Sequence, residues 1–243
     1  MLLLAVWQGL IFARIWPEYI FPSPAGVLES LVDGFKDSTF WTAIGISLRR
    51  LAIGYGISIF GGGLLGLLIT RFSILKDTAG NLSMGLQTLP SICWLPLALL
   101  WFGLSEGAIY FVIIMGAMFS ITLAVHSGVR HVSPIYIKAG KNMGARQLTL
   151  FREIIIPAAL PSIVAGLRQG WSFAWRSLMA GELLFGNLGL GYLLLMGREL
   201  NDMSRVIAVM IIIAGISVLA DQFLFGTLEN HLHRKRGLLE KIA

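Results

Sequence analysis

Five stretches of this chain, 51–70, about 86–104, about 107–127, about 163–184 and about 206–226, are apolar for nearly their whole length. A bilayer core of about 30 Å is crossed by about 20 such residues in a helix. Water is absent there, so each backbone N–H and C=O must find a partner within the protein, and a helix provides one. A sixth stretch, Met1 to about Trp16, is shorter. Arg14, Trp16 and Pro17 follow its apolar run where a signal peptide would carry small residues for cleavage, so it is taken as a first span. Composition agrees: 13% of residues are charged, against about 25% in soluble domains. A soluble chain so poor in charge could not cover its own surface. These residues specify an all-α integral membrane protein with six transmembrane helices.

The positions of Lys and Arg orient it, because cytoplasmic loops carry the excess. With the N-terminus inside, the inner segments 71–85, 128–162 and 227–243 hold eleven of them and the outer segments 14–50, 105–106 and 185–205 hold six. Both termini are therefore expected in the cytoplasm. The net charge of +6 is read as orientation and contact with membrane lipid, not as a nucleic-acid surface. In the outer segment 17–50, Pro22-Ser23-Pro24 precedes Val27, Leu28, Leu31, Val32 and Phe35 at helical spacing, which predicts an amphipathic helix on the membrane or against the bundle. In the second span Gly54, Ser58, Gly62 and Gly66 fall on one face, a seam that lets another helix approach closely.

Enzymatic motifs are missing. Gly140-Lys141 is followed by Asn142, and Ile135 stands where a phosphate-binding loop has its first glycine. There is no HExxH, CxxC or GxSxG. The single cysteine, Cys93, lies in an apolar run and is expected to be a small buried hydrophobe. His231 and His233 sit in a basic tail suited to anionic headgroups rather than to a metal. The turn with Gly186, Gly189 and Gly191 is expected to return the chain to the membrane. A membrane-embedded enzyme would need ionisable residues clustered at one depth, and the linear sequence displays no such cluster.

The inner loop 128–162 is long, amphipathic and basic. Ile135, Ala139, Met143 and Leu148 alternate with Lys138, Lys141 and Arg146; Gly144 interrupts, and a second helical piece is expected to end at Pro157. Two short helices joined at a glycine suit docking to a soluble partner, or to anionic lipid. These residues resemble the EAA loop, E-A-A-x3-G-x9-I-x-L-P, of inner-membrane permeases of bacterial ABC importers. Here Lys138-Ala139-Gly140 is followed by three residues, Gly144, nine residues, and then Ile154, Ile155, Ile156 and Pro157. Lys138 replaces the glutamate, Gly140 the second alanine and Ile156 the leucine. Phe21-Pro22-Ser23-Pro24, Ser47-Leu48-Arg49-Arg50, Leu95-Pro96-Leu97, Leu100-Trp101-Phe102-Gly103, Gly189-Leu190-Gly191-Tyr192 and the run from Pro157 to Ile163 are similar to the nitrate, sulfonate, taurine and bicarbonate branch.

The resemblance implies a type I importer fold in which residues 1–243 form one permease domain: core spans at 51–226, the EAA loop at 128–162 and a cytoplasmic tail at 227–243. It implies two copies of the chain, two ATPase subunits that hold ATP and Mg, and a periplasmic or lipid-anchored binding protein, with no cofactor in the permease itself. Lys138, Ala139, Gly140, Gly144, Ile154 and Pro157 would couple to the ATPase, with helix 135–143 as the lever. A channel or a secondary transporter working without an ATPase stays open beside this reading.

Depth sorts the remaining charges. At about 1.5 Å per residue, Arg168 and Asp221 each lie about 8 Å from the inner ends of their spans and are expected to pair. Arg176 lies about 20 Å from the inner edge, with Glu182 off its face and nearer the outer surface. A charge at that depth is a functional candidate, and a planar guanidinium suits an oxyanion. Trp171, Trp175 and Gln87 are expected to accompany Arg176 along the substrate route.

Overall fold

A computed structural model describes residues 20–229, together with Trp7, Gly9, Ile11 and Pro17. The expected first span and most of the tail lie outside the described residues. Among the described residues the chain is all-helical. Four helices are long and apolar enough to cross a membrane, and a bent pair makes a fifth if it counts as one span.

Helix α1, Pro24–Lys36, starts as the sequence predicts: Ser23 Oγ accepts the Gly26 N–H at 3.1 Å and Pro24 occupies the first turn. Helix α2, Thr39–Arg71, begins before the apolar stretch that opens at residue 51: residues 39–50 form its first three turns and lead into that stretch without a break. The apolar run at about 86–104 is mostly α4, Ser91–Phe102, and the segment before it, expected as an inner loop, forms α3, Lys76–Gln87, bent by 109° from α4. Pro90 causes the break: it has no N–H, and its ψ of 142° is extended.

Helix α5, Glu106–Arg130, is the central post, packed by α2 on one side and by α7 on the other. Lipid gives helices no hydrophobic reason to associate, so close backbone approach takes over. A Cβ on Gly62 would lie 2.6 Å from the Met118 carbonyl and one on Gly66 2.6 Å from the Thr122 carbonyl. Gly54 faces Ile113 and Ser58 is buried beside them. On the other side Gly166 of α7 meets Ala124, where a Cβ would come within 1.9 Å. Ile109, Ile113 and Leu178 fill the space between, fully buried.

Helix α6, Pro134–Asn142, is followed by α7, Gln147–Phe185. Here a second expectation fails: Pro157 does not end the helix. A wide π turn at Phe151–Ile155 precedes it, loosens the backbone there, and the helix continues to Phe185. Helices α8, Leu190–Glu199, and α9, Met203–Glu229, complete the described chain.

Candidate functional site

Four constellations stand out, in order along α7. The first is the loop between α5 and α7. Helix α6 ends in a Schellman motif: the Ala145 N–H donates to the Gly140 carbonyl at 2.9 Å and the Gly144 N–H to the Lys141 carbonyl at 3.0 Å. Gly144 has φ +87°, the left-handed conformation that this cap requires. Gly140 is buried against Ile154, so close that a Cβ would come within 2.0 Å of it. The two sequence intervals of the loop thus meet in space, Gly140 on Ile154 and the cap at Gly144. Lys138, Ala139 and Lys141 face outward, with Ile135 73%, Tyr136 59% and Met143 86% exposed. Large apolar side chains beside lysines on a short helix form a surface with no partner in a single chain.

The second lies just past the middle of α7. Arg168 grips Asp221 with two nearly parallel bonds, Nε to Oδ1 at 2.6 Å and Nη2 to Oδ2 at 2.5 Å, and reaches Glu229 at 2.9 Å. The pair expected from equal depth is present.

The third surrounds Arg176, which is exposed in a single chain. Its Nε donates to the Ser172 carbonyl at 3.2 Å, and its guanidinium carbon lies 4.8 Å from the centre of the Phe173 ring. Ser162, Ala165, Gln169 and Ser172 share its face and are exposed as well. Trp171 and Trp175 turn the other way and are buried and stacked, ring centres 6.4 Å apart, with Tyr55 edge-on to Trp171. Their indole nitrogens and Gln87 Oε1 are the buried side-chain polar atoms without a hydrogen-bond partner among the described residues. Gln87 ends α3, and across the bend Ser91 Oγ meets Ser177 Oγ at 2.7 Å. Cys93 at this bend is exposed, not buried as expected, because it sits in the short turn of helix after Pro90, where only Trp94 is buried.

The fourth constellation corrects the expectation that no ionisable cluster exists. Glu182 is fully buried and accepts from Ser47 Oγ at 2.8 Å, Arg50 Nη1 at 3.0 Å and the Gly191 N–H at 3.0 Å. Ser47 Oγ in turn accepts the Leu190 N–H at 2.9 Å. Arg50, 4% exposed, also donates to the Leu188 carbonyl and binds Glu106 Oε1 through Nη2 at 2.5 Å. The Leu188 carbonyl and the Leu190 and Gly191 N–H groups of the turn are thereby paired, and the Glu182 charge has the donors that its burial requires. The glycines of that turn are explained too. Gly189 has φ +130°, and a Cβ there would sit 2.5 Å from the Glu182 carboxylate. The sequence signals were an ionisable residue inside a span and a glycine-rich turn just after it. Their partners lie up to 135 residues earlier, which linear reading does not connect.

Membrane-length helices, a bent helix pair and paired charges near both ends give the described chain the form of a multi-pass helical membrane protein. The chain belongs to the family of binding-protein-dependent transport system inner membrane components, which it matches over residues 58–226. It is 33% identical over 231 residues to a putative ABC transporter permease protein of Methanocaldococcus jannaschii, covering 91% of this chain and 84% of that one. It is 27% identical to the taurine transport system permease protein TauC of Escherichia coli, covering 90% of this chain and 79% of that one. To the nitrate import permease protein NrtB of Synechocystis it is 29% identical, covering 91% and 83%. Its fold is similar to a chain of the MetNI methionine ABC transporter in inward-facing conformations, with a TM-score of 0.62 at 18% identity, covering 79% of this chain and 96% of that one.

Proposed function

We propose that this chain is the permease subunit of an ATP-driven importer that moves a small oxyanion of the sulfonate, taurine, nitrate or bicarbonate type across the cytoplasmic membrane. Two copies form the pore, and two ATPase subunits, which bind ATP and Mg, drive it. A periplasmic or lipid-anchored binding protein delivers the substrate. Both termini lie in the cytoplasm. A pore open to both sides would dissipate the gradient, so access alternates, and a rigid element must transmit the ATPase state to the gate. The observation that carries this reading is α6: a helix closed by the cap at Gly144, seated on Ile154 through Gly140, with Ile135, Tyr136 and Met143 bare among lysines. That is the geometry of a lever held at one end by its own chain and at the other by a partner.

The polar face of α7 is the proposed substrate route. Gln169, Ser172 and Arg176, exposed within the span, cannot face lipid without cost, about 2.5–3.5 kcal/mol for the arginine alone on insertion scales. They therefore face water or protein in the assembly. Taurine and nitrate in the names of relatives support an anion as cargo.

The test is co-expression with an ATP-binding cassette subunit and a binding protein, followed by reconstitution into vesicles. Labelled taurine, an alkanesulfonate and nitrate should accumulate only with ATP inside the vesicle's cytoplasmic-facing side. Accumulation of any of them by the permease without an ATPase would instead establish a channel or a secondary transporter.

A further inference from the structure

Among the described residues, π turns occur at Lys76–Gly80 in α3, Phe151–Ile155 in α7 and Asp221–Gly226 in α9, all toward the end of the bundle that carries α6. A π turn takes up one residue more than an α turn, and such turns are rare and concentrate at functional sites. The one in α9 has a partner that accounts for it. Arg168 of α7 binds Asp221 through Nε and Nη2, at 2.6 and 2.5 Å, and Glu229 through Nη1 at 2.9 Å. Asp221 opens the π turn, and Glu229 lies just past its end.

In an uninterrupted α-helix, Glu229 would lie about 80° around the axis from Asp221, which turns one of the two carboxylates away from α7. The residue absorbed by the π turn reduces that angle to about 20°, so both face Arg168. Phe225, inside the turn, is buried, and its ring centre lies 6.1 Å from that of Trp171, one turn along from Arg168. The grip is nonetheless breakable. The side chains of Arg168, Asp221 and Glu229 are 40%, 35% and 28% exposed, so water screens the charges and competes for each bond. Arg168 is also tied to the loop helix. Ile154, on which α6 sits through Gly140, lies in the π turn of α7, and Arg168 follows about 21 Å along the same helix.

We infer that Arg168 is a positioning residue of the transport cycle, a latch that holds the π turn of α9 while it is closed on Asp221 and Glu229. Opening the latch lets α9 wind into a plain α-helix. The segment past Gly226 then turns by about 100° and advances by about 1.5 Å. Leu228 takes the place facing α7 that Glu229 held. The inference rests on the importer reading, which supplies the cycle and makes α6 its lever. Movement of α6 reaches Arg168 through α7, and the π turn converts it into rotation of the end of α9, a two-state element of the kind that amplifies small shifts.

The experiment uses the full permease–ATPase complex in a Cys93→Ser background, with Leu228→Cys, exposed while the latch is closed, as a maleimide target in nanodiscs. Its labelling rate should differ at least tenfold between the nucleotide-free complex and the complex trapped with ATP and vanadate. Arg168→Gln should hold it at the slower rate in both states. Rates within twofold of each other in the two states, or no effect of Arg168→Gln, overturn the inference. Deletion of Leu224, an exposed residue of the turn, removes the extra residue and keeps both carboxylates on one face of a plain α-helix. The latch is then preserved and the rotation lost. This variant should melt no lower than wild type, yet in vesicles take up at least tenfold less labelled taurine, alkanesulfonate or nitrate per ATP hydrolysed. Wild-type uptake from it would reduce the π turn to a structural irregularity and overturn the inference. If the deletion variant does not fold, the labelling rates decide alone. A wild-type complex without ATP-driven uptake overturns the importer reading instead, and unchanged labelling of Leu228→Cys in the Arg168→Gln permease then overturns the latch separately.

Discussion

Gly144 and Gly189 are single residues on which local geometry turns, each for a different reason. At Gly144 the cap needs φ near +87°, which costs a residue with a Cβ about 1–2 kcal/mol. Gly144→Val should leave the chain inserted while cutting ATP-driven uptake at least tenfold, as α6 loses its angle to α7. Normal uptake together with normal ATPase co-purification would show that α6 is not the lever. At Gly189 the obstacle is the Glu182 carboxylate, so Gly189→Ala should cost about 1–3 kcal/mol by overpacking and lower the melting temperature of the purified protein. Asp37 shows the same economy at the start of α2. Its carboxylate accepts the Thr39 N–H at 2.9 Å, and that bond holds its carboxyl below the usual carboxylate range. A lowered folded value stabilises above the unfolded pKa of about 3.9, and the contribution vanishes as pH falls through the folded value. Hydrogen exchange at the start of α2 should therefore accelerate in that acid window, and Asp37→Asn should remove the pH dependence.

The glycine seam was legible as an element from four positions at four-residue spacing. What it packs on was not. Because Gly62 and Gly66 face backbone carbonyls rather than flexible side chains, α2 and α5 cannot yield locally. Gly62→Leu should abolish accumulation of folded protein, while Gly63→Leu, at a position with open space around it, should be tolerated, as fluorescence-detected size-exclusion would report. The pairing of α7 with α9 is looser. Arg168 and Asp221 are about 40% and 35% exposed, so solvent screens the pair and its coupling should be no more than about 1 kcal/mol. In a double-mutant cycle Arg168→Gln and Asp221→Asn should be sub-additive by that amount. Full additivity would mean the contact contributes nothing.

Over the whole molecule, orientation and transport are the tests. In a Cys93→Ser background, needed because Cys93 is exposed, Met143→Cys should react with a membrane-impermeant maleimide only from the cytoplasmic side. Reaction from outside would invert the topology. Arg176→Lys keeps the charge and loses the planar fork, and Arg176→Gln loses both. Uptake at saturating binding protein should fall in that order, several-fold for the second. Wild-type rates from both inserted variants would remove Arg176 from the route.

Membrane class, the approximate positions of the spans, the seam on α2 and the depth-matched Arg168–Asp221 pair were set by the sequence, because each is a matter of local period or of distance along one helix. So was family membership, through the spacing from Lys138 to Pro157. The bend at Pro90, the early start of α2 and the passage of α7 through Pro157 depended on what neighbouring helices would accept. The outer cluster is the clearest case. Ser47, Arg50, Glu106 and Glu182 come from three helices, and the buried Glu182 carboxylate is tolerable because Ser47 and Arg50 of α2 and the Gly191 N–H all donate to it. That convergence is a property of packing, which no window of the sequence contains.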